Sequence, residues 1–542
     1  MKSAALFLLF AAVLIAVHAP LLRLPYYWDE AGYYIPAARD LFSGSLIPYS
    51  TPSNAHPPLV MAWLALSWKI FGQSQIVTRC AMLLLAAFSL VGFFRLARTV
   101  ANTTVAAYST LLVAIYPVFF AQSSLAHIDL ASAGFTFWGL DAFFRETKPA
   151  KGAASPVLWR TAVWFSLAVL TKETAILVPL ALLLWQVLRY FPNRSSTTRL
   201  SEAASAGGDS AARSQTIRIF AALLAPVFPL VLWYTYHYFR TGHIFGNPDF
   251  FRYNVQGTLH PLRMLLALLL RLWQTVGYLG LYVSTLACLI AMKFRPISDA
   301  RGERPRIDLA VQYAFLSITL VYVIALSVVG GAVLARYMLP VVPLVILVCV
   351  STIWRRLAAW KAVIVVVALA FISALFINPP YGFAPEDNLA YRDYIRLHQR
   401  AENFLEQEYP NARVLTAWPA SDELTRPYLG YVQRPVQVVR IDDFSAEQLL
   451  SAVDARSRFD IALVFSTKYQ PRTILDRWRQ WQQLKSRYFD YHVDLPPEAA
   501  ASVLGGKLVY RLRNRGQWVG IIKIEKIEEA RASSLRNGFL RP

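Results

Sequence analysis

The sequence predicts a mainly α-helical, polytopic membrane protein that ends in a compact α/β domain. Three observations carry this expectation. Of 542 residues, 56% are hydrophobic and only 16% charged, with a mean hydropathy of +0.39. Ordinary soluble domains of about 100–200 residues cannot hide that much apolar surface. Apolar runs of roughly 17–25 residues, the length that crosses about 30 Å of hydrocarbon, recur through the first two-thirds of the chain. After about residue 380 charged residues return, and short β-rich runs follow a helical pattern.

The apolar runs mark about eleven spans, near 3–22, 76–95, 104–121, 129–145, 157–171, 174–190, 217–237, 274–292, 310–330, 336–353 and 361–377. The first is longer than the apolar core of a cleaved signal peptide and has no small-residue exit before Pro20, so it is expected to stay as an anchor. Cys80, Cys288 and Cys349 all fall inside apolar runs, which implies no disulfide framework. The stretch Arg194 to Arg213, rich in Ser, Ala and Gly, reads as a flexible loop. Farther on, Arg392 to Glu408 alternates charged and apolar residues at helical spacing. Val414–Trp418, Val436–Ile441, Ile461–Phe465, Lys507–Leu512 and Val519–Ile524 read as strands. The chain therefore divides into a membrane domain, 1–379, with a long first outer loop over 23–75, and an α/β domain, 380–542.

A net charge of +21 suggests a nucleic-acid partner, but the cations sit in short gaps between apolar runs, without a stacking platform or basic helix, and nucleic-acid binding is excluded on that ground. Their distribution sets orientation instead, because Lys and Arg are retained on the cytoplasmic side. One set of gaps carries twenty, among them Lys2, Arg95, Arg145, Lys293 and Arg355; the opposite set carries nine, among them Arg23, Lys172 and Arg336. The N-terminus is thus expected in the cytoplasm, and the tail after Asn378 outside (periplasmic, for an inner-membrane protein).

With that orientation, polar motifs from distant parts of the chain gather at the outer face. The first outer loop holds Tyr26, Tyr27, Trp28, Asp29 and Glu30, then Tyr33 and Tyr34, then His56-Pro57-Pro58-Leu59. His127 and Asp129 open the fourth span, Lys172 and Glu173 form the turn between the fifth and sixth, and Arg336 and Tyr337 open the tenth. Ionisable groups beside hydrocarbon are costly and persist where they face a cavity or one another. Cations in such a set suit a phosphate or pyrophosphate, and a carboxylate suits proton removal from an acceptor hydroxyl. Structural roles compete with each assignment. Asp29 and Glu30 fit a helix start, Lys172 fits a side chain reaching for headgroups, and His127 and Asp129, two apart, do not share a helix face. His237, His243 and Asp249 are available for a divalent cation, but no ligand spacing in the chain is diagnostic, so a metal cofactor is left open.

The order of these motifs resembles the C-type glycosyltransferases, in particular the bacterial branch related to protein O-mannosyltransferases and the aminoarabinose transferase of lipid A. The resemblance rests on the Asp-Glu after an aromatic cluster, His-Pro-Pro-Leu, the Lys-Glu turn and the late Arg-Tyr-x-x-Pro, and it covers about residues 1–380. It implies a sugar donor on a polyprenyl phosphate, a hydroxyl acceptor on lipid A, a glycan or a protein, and inversion at the anomeric centre. It also implies Asp29 as general base, Glu30 as its orienting or metal-binding neighbour, and Asp129 as a second acidic site residue. Lys172 and Arg336 would hold the donor phosphate, with Tyr33, His56 and Tyr337 lining the cavity. The rival from another class is a transporter or flippase. Such folds usually show related halves and polar groups at mid-depth, and neither is visible in this sequence.

Overall fold

The computed structural model describes residues 3–147, 158–190, 208–300, 302–469, 471, 473–489 and 491–525. Its contacts divide the chain into two compact units: Met1–Leu22 with Tyr33–Ile377, and Arg23–Gly32 with Asn378–Pro542. The segment Arg23–Gly32, which the sequence places in the first outer loop of the membrane part, therefore groups with the C-terminal unit.

The first unit is a multi-pass helical assembly. Among the described residues, five stretches are long and apolar enough to cross a membrane on their own: Ser3–Leu21, Gln75–Val100, Arg213–Thr241, Pro261–Ala291 and Leu309–Val328. The other six expected spans are helical but shorter or more charged. Helix Asp129–Glu146 carries Asp129, Asp141, Arg145 and Glu146; Thr103–Ile115 ends where Pro117 starts a new turn; Lys172 separates Trp159–Thr171 from the 3-10 turn Glu173–Ile176 and helix Leu177–Tyr190. Val342–Arg356 and Trp360–Phe376 complete the set. The count of eleven thus counts apolar runs, several of which are partial crossings by length.

Three boundaries differ from expectation, each for a physical reason. The span expected at 274–292 begins at Pro261, whose fixed φ suits a first helical turn. Arg263 and Arg271 break its apolar pattern in sequence, yet both are buried, bound to the carbonyls of Gly330 and Leu334. The same stretch is bent at Leu279 and Gly280, which have φ of 47° and 87°. Of the expected flexible loop, residues 194–207 lie outside the described residues, and the rest joins helix Gly208–Leu224, where Ala-rich sequence favours the helix over a loop. The first outer loop is itself partly helical, with Ile35–Phe42 and the apolar Leu59–Phe71, a segment too short to span.

Helix Asp129–Glu146 sits between Gln75–Val100 and Trp159–Thr171. Gly134 permits the first of these approaches, since a Cβ there would collide with the Ser89 side chain. Buried apolar side chains such as Phe93, Phe137, Phe143 and Phe165 fill this centre. The arrangement fixes the N-terminus of Asp129–Glu146, where the candidate site begins.

The second unit holds a five-stranded sheet in the order Gln437–Ile441, Arg413–Ala417, Ile461–Phe465, Gln517–Ile524, Gly506–Asn514. The first three strands run parallel, and the last two are added antiparallel. Every residue of Ile461–Phe465 is buried, as a central strand covered on both faces requires. Helix Ala390–Glu408 packs on the two antiparallel strands through its apolar side. All five strands and this helix match the sequence expectation to within two or three residues.

Candidate functional site

Asp129 is the first residue of its helix, a position where a carboxylate is favoured by the helix dipole. Lys172 follows the end of Trp159–Thr171 in an extended conformation (φ −151°, ψ 130°), which ends the helix and turns its side chain out of the ladder. Arg336 lies in the 3-10 turn Ala335–Met338. The loop ahead of it is held by Arg271, whose Nη1 donates to Leu334 O at 2.6 Å, and by Gln274, which donates to Val333 O at 2.8 Å.

These three elements bring their charged ends together. Lys172 Nζ lies 2.5 Å from Asp129 Oδ1, and Arg336 Nε forms an ion pair with Asp129 Oδ2 at 3.2 Å. Asp129 is 3% exposed, Lys172 6% and Arg336 1%, so the charges meet almost without solvent. Two cations on one carboxylate leave one surplus positive charge. The Lys172 ammonium also stands 3.7 Å from the centre of the Tyr337 ring, a cation–π contact that holds it in place. Arg336 Nη1 lies 2.8 Å from His127 Nδ1, and Gln122 Oε1 reaches the same ring nitrogen at 2.7 Å. Nearby, buried Arg79 donates to Ser124 O at 2.8 Å.

A second pair flanks the first. His56 Nδ1 lies 2.8 Å from Glu173 Oε2, next in sequence to Lys172. Loop residues around His56 are pinned by Trp233, which donates to Ala55 O, and by His237, which pairs with Ser53 Oγ. His237 is thus a loop anchor, and Asp249's side chain lies outside the described residues. Tyr33, Tyr34, His56 and Trp233 line a shallow open cleft. Burial alone would raise the Glu173 pKa, but the charge and hydrogen bond of His56, with Lys172 adding, hold it at about 2. A carboxylate depressed below its unfolded value near 4.3 stabilises the fold above that value and loses the contribution as pH falls toward 2. Melting temperature in detergent is therefore expected to fall more steeply between about pH 4.5 and 2 for wild type than for Glu173→Gln. Parallel curves for the two proteins would remove the stabilising role of this pair.

The structure thus brings Asp129, Lys172, Arg336 and Tyr337 into one cluster, and sets Tyr33 and His56 on one cleft of the same unit. Asp29 and Glu30 belong to the second unit. There Glu30, fully buried, accepts from the Tyr27 N–H at 2.8 Å, and Trp28 adopts a left-handed φ of 44°. Tyr26 N–H donates to Leu429 O, Tyr431 Oη donates to Tyr26 O, and the Trp28 ring packs edge-on against Trp418 at 5.0 Å. The aromatic run before Asp29 is therefore anchored by contacts within this unit. His127 and Gln122 are the members of the cluster that the sequence does not assign. His127 precedes the helix that Asp129 begins, so the argument from a shared helix face does not apply to it.

Residues 55–205 match the family described as dolichyl-phosphate-mannose-protein mannosyltransferase, a stretch that contains His56, Asp129 and Lys172. No curated protein sequence matches the chain significantly. Among solved structures, ArnT from Cupriavidus metallidurans in the apo state superposes with a TM-score of 0.55 at 14% identity, covering 96% of this chain and 98% of that one. The chain has the ArnT fold. A second structure, ArnT bound to undecaprenyl phosphate, gives a TM-score of 0.51 at 16% identity and covers 95% of this chain and 97% of that one. The likeness to ArnT runs through both units, the helical one and the α/β one, in a single chain of the same extent.

Proposed function

We propose that the protein is an inverting glycosyltransferase that moves a sugar from a polyprenyl-phosphate donor to a hydroxyl acceptor on lipid A, a glycan or a protein. The observation that carries this is the buried Lys172–Asp129–Arg336 cluster in a chain with the ArnT fold. The surroundings assigned are the inner membrane, with the N-terminus in the cytoplasm and the reaction at the outer face, as the cation distribution predicts.

In this reaction the acceptor oxygen forms a bond to the anomeric carbon from the face opposite the phosphate, and the carbon–oxygen bond to the phosphate breaks. The acceptor proton passes to the general base, which we assign to Asp29 from its place after the aromatic cluster. The leaving polyprenyl phosphate gains one negative charge as it departs. Lys172 and Arg336 supply the single surplus positive charge of the cluster to meet it, in a site where exclusion of water strengthens the attraction. Asp129, whose two oxygens face the two cations, acts as a positioning residue that holds them at a fixed separation. Tyr337 fixes Lys172 in turn.

The test is transfer of radiolabelled sugar from a pool of polyprenyl-phosphate sugars by purified wild type and Lys172→Ala. Wild type is expected to label an acceptor. Lys172→Ala is expected to lose about 1.5–3 kcal/mol of donor binding, a rise of roughly 10- to 150-fold in donor KM. If wild type neither consumes nor binds any such donor, the enzyme reading fails and a transporter becomes the better account.

A further inference from the structure

A second cluster of ionisable side chains, which the transfer chemistry does not use, lies inside the α/β unit. His398 and Glu402 are one helical turn apart on Ala390–Glu408, so they project from the same face. Glu423 comes from the short helix Ala420–Thr425, just after strand Arg413–Ala417. His398 Nδ1 lies 2.6 Å from Glu423 Oε2 and 3.5 Å from Glu402 Oε1, and one ligand atom from each residue falls within 4.8 Å of the others. His398 is 1% exposed and both carboxylates are 0% exposed. The ring of Tyr394 stacks on His398 at 4.0 Å, and Phe465 closes the other side at 4.6 Å.

Two features set this cluster apart from an ordinary buried ion pair. Among the described residues no N–H or hydroxyl donor reaches either oxygen of Glu402 or Glu423 Oε1, and His398 Nε2 has no partner. Leaving such groups unsatisfied in a protein interior is costly, because each gives up its water and gains nothing in return. In addition, two carboxylates face a single imidazole, and no Lys or Arg pairs with either among the described residues. A divalent cation balances the charge, two positive against two carboxylates beside a neutral imidazole, and gives a partner to carboxylate oxygens that have no donor, while His398 Nε2 stays as it is.

We infer that His398, Glu402 and Glu423 form a structural site for a divalent metal ion of the zinc class. One imidazole and two carboxylates are a nitrogen–oxygen donor set of the kind zinc accepts. Ligand atoms around a tetrahedral zinc ion stand about 3.3 Å apart, from bonds of about 2.0–2.1 Å. The 3.5 Å pair already has that spacing, and the 2.6 Å pair needs to open by under an ångström. Nδ1 is the ligand nitrogen, because it faces both carboxylates. The ion would tie helix Ala390–Glu408 to the segment after strand Arg413–Ala417, clamping the core of this unit. Three residues leave a fourth position on a tetrahedral ion, and complete burial keeps substrate away from it, which gives the ion a structural role.

The experiment is metal analysis of the full-length protein in detergent, after zinc loading and exhaustive dialysis, for wild type, Glu402→Gln and His398→Ala. Wild type is expected to retain about one zinc ion per chain, and both variants are expected to fall to background. Melting temperature provides a readout independent of transfer: a chelator should lower it in wild type and leave Glu402→Gln unchanged. Should the variants fail to fold, hydrogen exchange in Ala390–Glu408 of wild type, with and without chelator, decides instead, and faster exchange on chelation is expected. Wild type without stoichiometric metal, or with a melting temperature and exchange indifferent to chelation, would overturn the inference. In that case the two carboxyls share a proton.

Discussion

Replacing Asp29 by Asn is expected to cut sugar transfer about 10²- to 10⁴-fold while leaving donor affinity near that of wild type. The amide matches the carboxylate in shape but cannot take a proton from an acceptor hydroxyl. Local structure should survive, because the neighbours on both sides of Asp29 are fixed by their own contacts. Glu30 is locked by the Tyr27 N–H, and Trp28 is held in its left-handed conformation by packing against Trp418 and Tyr394. A non-glycine residue with positive φ costs about 1–2 kcal/mol, and the aromatic packing of this segment offsets that cost. The measurement is single-turnover transfer at saturating donor, alongside equilibrium donor binding. Turnover by Asp29→Asn close to that of wild type would strike Asp29 from the base role. A parallel loss of donor binding would point to a disturbed loop rather than a missing base.

The fold of the α/β unit was readable because its signals are local. Strand Ile461–Phe465 is an unbroken apolar run between polar residues, and Ala390–Glu408 shows its buried side every three or four residues. Periodicity of that kind needs no knowledge of tertiary contacts. The membrane unit was readable in outline only. Hydropathy finds apolar length, but it cannot see that Arg263 and Arg271 are satisfied by the carbonyls of a distant loop, so the helix starting at Pro261 appeared to begin more than ten residues late. Grouping of Arg23–Gly32 with the C-terminal unit was illegible for the same reason, since it depends on Tyr26 meeting Leu429 and Tyr431 across about 400 residues of sequence.

The charged cluster shows which groups can be picked out of the sequence before their contacts are known. Asp129, Lys172 and Arg336 each stand at a helix boundary, and an ionisable group there in an apolar chain is expensive enough to attract notice one residue at a time. His127 stands out in the sequence but its placement does not, because it precedes its helix and its position is set by Arg336 and Gln122. His398, Glu402 and Glu423 were hidden differently. The first two sit in a charged, amphipathic helix, where a His and a Glu pass for solvated surface, and only the fold reveals that both face inward onto a third ionisable group.

Asp129→Ala is expected to be the most destabilising single change in the membrane unit's site. Removing the carboxylate leaves Lys172 and Arg336 buried beside each other without the group that both of them face, and breaking one side of a buried pair typically costs about 3–5 kcal/mol. Asp129→Asn keeps the shape and a hydrogen-bonding oxygen, so its loss should be smaller and should appear mainly as a raised donor KM with kcat less affected. The decisive comparison is a double-mutant cycle read as melting temperature in detergent. In an Asp129→Ala background, Lys172→Ala also removes one of the two stranded cations. The double variant is therefore expected to melt above the Asp129→Ala single variant, although Lys172→Ala alone lowers stability. Reversal of sign in that cycle is what an electrostatic clamp requires. If the two losses simply add, Asp129 and Lys172 do not act through each other, and the assignment of Asp129 as the residue that holds both cations in place fails.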